Sequence, residues 1–252
     1  MCRICEIRET VQRPETSRRR FLQFAGGLAA GMALAPQAFA KDKKPPPKPQ
    51  NAISPAAALD RLMKGNARYV QGKSHLHNFK SEREALAGGQ NPYASILSCA
   101  DSRIAPEYAF DSGRGDLFVC RVAGNFANDD TIASLEYSVA VLNSPFILVL
   151  GHESCGAVDA TIKSLKDNTT LPGHLPSLVA ALAMAVKAVA DQPGDKLANA
   201  TKRNVIDTVA KLKAATPILS AAVGNGKLKI AGGVYRLQRG GTDASSITIP
   251  LD

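Results

Sequence analysis

Residues 145–151, PFILVLG, form an unbroken apolar run, and its reading decides the fold. A run this short, aliphatic and closed by a glycine fits a strand buried on both faces, the type found in parallel sheets covered by helices. Two further short strands read upstream, YASILSC (93–99) and DLFVCRVAG (116–124). Between the second and third, NDDTIASLEYSVAVLN (128–143) has helical periodicity, with Ile132, Leu135, Val139 and Leu142 on one stripe. Helices are expected over 155–167, 175–190 and 197–222, the last interrupted near Pro217, and 226–241 closes the chain as an edge strand and turn. At the other end, SPAAALDRLMKGNARYVQG reads as a helix with Ser54 as N-cap, Pro55 in its first turn and Gly72 past its end. Strands alternating with helices predict an α/β fold, a mostly parallel central sheet flanked by helices, as one domain over 54–252.

What precedes that domain reads as an address and a spacer. SRRRFLQ (17–23) fits a twin-arginine export signal through Ser17, Arg18, Arg19, Phe21 and Leu22. A Gly/Ala-rich apolar stretch follows from Phe24 to Ala35, too short for a membrane span, and AFA (38–40) is a small-x-small cleavage site. Residues 1–40 are therefore expected to be removed on export to the periplasm or exterior, leaving a mature start near Lys41. Residues 41–53 form a Pro/Lys-rich linker. These segments also explain the net charge of +9: residues 1–40 carry six Arg against three acidic residues, and 41–49 carry four Lys against one Asp. The nearly neutral body has no basic block, which excludes nucleic acid as a partner.

The mature chain keeps Cys99, Cys120 and Cys155, an odd number that fits a disulfide framework poorly. Cys99 and His152 directly follow two of the expected strands, where chemistry gathers in such sheets. His152 and Cys155 are three residues apart and can converge at the start of a helix, whose N-terminus favours a thiolate. Two thiolates and one imidazole are a donor set that zinc accepts, with its fourth tetrahedral position open. In CADSR (99–103), Asp101 lies on the same side of an extended segment as Cys99, placed to accept from water at that position. Arg103 is placed to hold Asp101 ionised and oriented. Singly, each residue has a bland explanation: a buried Cys or His is ordinarily core, and Asp-Ser-Arg could be a cap with a surface ion pair. Cys120, mid-strand, reads as core; His75, His77 and His174 read as surface; Cys2 and Cys5 fall in the removed segment.

CADSR, GHESCGA (151–157), GDLFVCRVAGN (115–125) and SLEYSVAVL (134–142), in this order and spacing, resemble the β-class carbonic anhydrases over roughly 54–240. The resemblance implies zinc, one per chain, on Cys99, His152 and Cys155, and an Asp–Arg dyad at Asp101 and Arg103. It implies reversible hydration of carbon dioxide to bicarbonate and a proton, and a homodimer or higher even oligomer. Gln90 matches a pocket glutamine of the plant-like, open-site branch. Phe118 and Tyr137 match its apolar pocket residues, Tyr137 coming from the partner in the dimer, and Ala123 adds to the apolar wall. Val122 departs from the pattern, standing where many members have Asn. Bicarbonate-inhibited forms, in which the Asp moves onto zinc, have a regulatory pocket that includes a tryptophan. This chain has no Trp, so Asp101 is expected to stay on Arg103. A carbonyl sulfide or carbon disulfide hydrolase on the same scaffold would share all of the metal chemistry. A non-catalytic zinc protein would not need the dyad.

Overall fold

Four parallel strands and a two-residue antiparallel extension form the sheet of the computed structural model, which describes residues 53–237 and 242–243. The expected export signal, the expected linker up to residue 52, the end of the expected strand and turn at 238–241, and residues 244–252 lie outside the described residues. In chain order the elements are α1 (Pro55–Val70), α2 (Phe79–Ala87), β1 (Ala94–Ser98), α3 (Pro106–Ala109), β2 (Leu117–Arg121), α4 (Asp129–Ala140), β3 (Phe146–His152), α5 (Gly156–Lys166), α6 (Leu175–Ala188), α7 (Lys196–Ala214), α8 (Ile218–Gly224), β4 (Lys229–Tyr235) and β5 (Thr242–Asp243). Strand order is β2-β1-β3-β4-β5.

The apolar run at 145–151 is the centre of this sheet. Every residue of β3 is buried, and it pairs in parallel with β1 on one side and β4 on the other. Successive side chains face opposite layers. Leu148 and Leu150 pack with Ile96, α1 and α3, whereas Ile147 and Val149 pack with Leu97, α4, α7 and α8. With helices on both faces, the strand has no water-facing side, which is why it carries no polar alternation. A third apolar group joins Cys99 and Cys155 to Val158, Leu182, Val186 and Ala200 of α5, α6 and α7.

The helix boundaries follow local chemistry. Ser54 caps α1 by accepting from the Ala57 amide at 3.2 Å, with Pro55 in the first turn. Asn128 and Thr131 form a reciprocal capping box at the start of α4. Among the described residues β4 is an edge over Lys229–Gly233, paired with β3 alone, and β5 covers its last two residues on the other side. One expectation changes. Helices α2 and α3 lie in stretches where no helix was expected; α3 is a single turn, too short to show a period.

Candidate metal centre

The topology itself creates a crevice. The chain leaves β1 toward β2 on one side, whereas it leaves β3 toward β4 on the other, so the carboxyl ends of β1 and β3 form a switch point with the connections diverging around it. Ser98 pairs with Leu150, which puts Cys99 and His152 at adjacent strand ends. Cys155 follows as the N-cap of α5. Ligand atoms of Cys99, His152 and Cys155 all lie within 4.8 Å of one another, and all three residues are buried.

The state of the imidazole is fixed by its surroundings. His152 Nδ1 lies 2.8 Å from the Glu153 carbonyl oxygen, which can only accept, so Nδ1 carries the proton. The lone pair of Nε2 then faces the two sulfurs, and Nε2 is buried with no hydrogen-bond partner. A buried polar atom is ordinarily paired, so this orphan points to a missing electrophile. The thiols agree. Cys99 is pulled well below its ordinary pKa, chiefly by the Cys155 thiol, against the cost of burial, with help from His152 and the amides of Gly124 and Asp101. Cys155 is pushed up by that same neighbour and by burial, although the amides of Ala157 and Val158 at the helix start favour its thiolate. Two thiolates this close need a cation between them, and a donor set of two sulfurs and one imidazole suits zinc. The residues therefore fit the metal.

Asp101 and Arg103 lie beside this cluster, but not along an extended segment. The chain turns at 101–104, with the Ile104 amide on the Asp101 carbonyl, and the Arg103 amide bonds Asp101 Oδ1 at 2.9 Å. Turning brings the guanidinium back onto the carboxylate: Nε donates to Oδ1 at 2.9 Å and a terminal nitrogen to Oδ2 at 2.7 Å. This fork holds Asp101 far below the usual carboxylate range. The same guanidinium reaches the Ser154 carbonyl at 3.2 Å, linking the β1 end to the β3 end. Asp101 Oδ2 stands 3.9 Å from His152 Nε2, outside hydrogen-bond distance.

Residues 94–242 match the carbonic anhydrase family. The chain is 40% identical over 188 residues to "Carbonic anhydrase 2" of Mycobacterium tuberculosis, covering 74% of this chain and 91% of that protein. The chain belongs to the carbonic anhydrase family. It is 34% identical to the carbonic anhydrase of Mycolicibacterium smegmatis, over 77% of this chain and 94% of the relative. Among solved structures it resembles the β-carbonic anhydrase CcaA (28% identity, TM-score 0.59, 74% of this chain and 86% of that one). It also resembles the Coccomyxa β-carbonic anhydrase in complex with acetazolamide (26%, 0.56, 75% and 81%). This is therefore a carbonic-anhydrase-type enzyme of the β class.

The fold thus brings together five of the eight expected site residues of this carbonic anhydrase. The other three stand apart from the cluster of their own chain. Gln90 is exposed before the amino end of β1, the end opposite Cys99. Phe118 pairs with Ser95, four residues ahead of Cys99, or about 13 Å away at about 3.3 Å per residue. Tyr137 lies with Phe118, their ring centroids 6.3 Å apart in the same chain. Cys120 packs against the second core group and its thiol is pushed up by burial, in keeping with a core role. His75 and His77 pair with Asp111 and Glu82 and do not join the cluster.

Two supporting residues carried no separate signal in the sequence. Arg121 donates to the carbonyls of Cys99 at 3.0 Å and Asp101 at 2.7 Å, pinning the backbone on both sides of Ala100. Gly124 donates its amide to Cys99 Sγ at 3.3 Å. Both lie in the GDLFVCRVAGN stretch, but the Arg121 guanidinium finds its carbonyl acceptors only in the finished fold, and a backbone amide such as that of Gly124 leaves no mark of residue type.

Proposed function

We propose that this site holds one zinc ion on Cys99, His152 and Cys155 and catalyses the reversible hydration of carbon dioxide to bicarbonate. The single observation carrying the zinc assignment is the bare, buried Nε2 of His152 facing two cysteine sulfurs. When bound, zinc supplies a Lewis acid that makes water a nucleophile at neutral pH. The protein supplies the rest. Glu153 O fixes the histidine tautomer, and the Gly124 amide stabilises the Cys99 thiolate. Asp101, kept ionised by Arg103, accepts the hydrogen bond of the attacking water and aims its lone pair at the substrate carbon. Its pairing with Arg103 supports the open-site reading, in which the carboxylate stays off the metal.

The pocket for carbon dioxide is completed, in our reading, by a second copy of the chain. Gln90, Phe118 and Tyr137 match pocket residues but lie away from their own Cys99, which supports Phe118 reaching the partner's site together with Tyr137. A dimer or higher even oligomer in sedimentation is the expected result. We further propose that residues 1–40 direct twin-arginine export and are cleaved after Ala40. The exported protein should begin at Lys41, and Arg18→Lys with Arg19→Lys should keep it inside the cell.

Stopped-flow hydration of carbon dioxide, with zinc measured on the same mature sample, tests the activity. Carbonyl sulfide and carbon disulfide are assayed in parallel. Rapid hydration with about one zinc per chain is expected. A zinc-loaded sample that turns over only the sulfur substrates would overturn the substrate assignment.

A further inference from the structure

Asn204 is not part of the ligand cluster, yet one residue connects it to a ligand. It sits within α7, 3% exposed, between the packing residues Ala200, Val205 and Val209. Its Nδ2 donates to the Gly124 carbonyl at 2.7 Å. From the other side of the same residue, the Gly124 amide donates to Cys99 Sγ at 3.3 Å. The helix layer, the 122–125 loop and the metal centre are thus joined in series, across 80 positions of sequence.

The loop needs such an anchor. Gly124 has φ of +82°, and a glycine populates either sign of φ, so local sterics do not decide where its amide points. No side chain replaces it there, since a Cβ would come within 2.8 Å of Leu182 Cδ1. The Val122 N–H to Ser98 O bond fixes the start of the loop, and the Asn125 N–H to Val122 O bond closes a turn over Ala123 and Gly124, holding the Gly124–Asn125 peptide by its nitrogen. Asn204 holds the same peptide by its carbonyl oxygen, from the helix layer. Its helix is also pressed against the second ligand strand: a Cβ on Gly151, next to His152, would lie 2.7 Å from Val205 Cγ2.

We propose that Asn204 is a positioning residue of the metal centre: by holding the Gly124 carbonyl it fixes the residue, so that the N–H on the other side of its Cα stays on the Cys99 thiolate. This rests on the assignment of Cys99 as a zinc ligand. An amide held on a thiolate withdraws charge from the sulfur and fixes its lone pairs, and loss of such support typically costs metal affinity.

Asn204→Asp tests this, because it keeps the shape and removes the donor. Val209→Ala is the control, a truncation in the same helix at a residue packed into the sheet core that makes no hydrogen bond to Gly124. Zinc affinity is measured by chelator competition, and the sulfur-to-cobalt charge-transfer band is recorded after cobalt substitution. Asn204→Asp should weaken zinc binding about 10-fold and shift the band. Val209→Ala should lower the melting temperature and change neither. A folded Asn204→Asp protein with wild-type zinc affinity and an unshifted band would overturn the proposal, as would an equal loss of zinc in Val209→Ala. Should Asn204→Asp not fold, hydrogen exchange on the wild-type holoenzyme decides: slow exchange at the Gly124 amide, comparable to the α7 core, is expected, and fast exchange overturns it. Failure of the parent assignment looks different. Cys99→Ala would then leave the zinc affinity of the protein unchanged.

Discussion

Asp101 and Asp111 both rest against an arginine, but they are held in opposite ways. The Asp111 side chain is 1% exposed and meets partners far away in sequence: Arg68 Nε, the His75 amide at 2.8 Å and His75 Nδ1 at 2.7 Å. These bonds tie the loop after α3 to the end of α1, where Asn66 also donates to the Ala109 carbonyl. Asp101 takes its arginine from two residues on, and beside it stands an imidazole nitrogen with no partner. In the first cluster the buried carboxylate has partners on both oxygens, whereas the second leaves a lone pair and two sulfurs facing one another. A buried polar atom without a partner calls for an explanation, and for His152 Nε2 the two facing sulfurs supply one, a shared cation.

If that contrast is right, mutations in the two clusters should separate activity from stability. The largest effect is expected for Cys155→Ala, which should lose zinc and activity together. The fall should exceed about 100-fold, the upper range for residues that only support a ligand. Cys120→Ser, half-buried and outside the cluster, should keep both, as metal analysis and hydration assays on the two variants will check. Next comes Asp101→Asn, expected to lower turnover about 100-fold while zinc content stays unchanged. Loss of zinc in that variant would erase the distinction between ligand and acceptor.

The Asp111 cluster should respond in stability alone. Asp111→Asn should cost about 2 kcal/mol in urea unfolding, the scale of hydrogen bonds to a charged group, with turnover per folded molecule retained. Its pH dependence has a definite sign. Arg68 and His75 outweigh burial and hold the Asp111 carboxyl below its unfolded value. Its contribution is therefore complete above about pH 4, the ordinary Asp value, and is lost as pH falls through the lower folded value. Wild type should lose this increment on acidification, and Asp111→Asn should show a flatter profile over that window. The smallest effect, about 1 kcal/mol by thermal unfolding, is expected for Asn128→Ala, which removes one purely local cap from α4.

The same contrast explains what could be read in the sequence. PFILVLG announced a strand covered on both faces, and Ser54 stands where a cap belongs, because these signals are local. Cys99, Asp101 and Arg103 were legible for the same reason, and His152 with Cys155 through their spacing. The bonds from Arg68 and His75 to Asp111 and from Asn204 to Gly124 were not, since they join residues whose proximity only the finished fold creates. Gly124 acts through its backbone amide, which every residue type carries, and Arg121 through a guanidinium whose backbone acceptors only the fold brings near. Gln90, Phe118 and Tyr137 were legible only by resemblance, and their distance from Cys99 emerged only with the strand register.

Zinc X-ray absorption on the purified protein addresses the central claim most directly. We expect two sulfurs and one imidazole nitrogen in the protein-derived shell, with Zn–S near ~2.3 Å. Three or more sulfurs would bring Cys120 to the metal, and a shell without imidazole would leave the bare Nε2 of His152 unexplained; either would contradict the assignment of Cys99, His152 and Cys155.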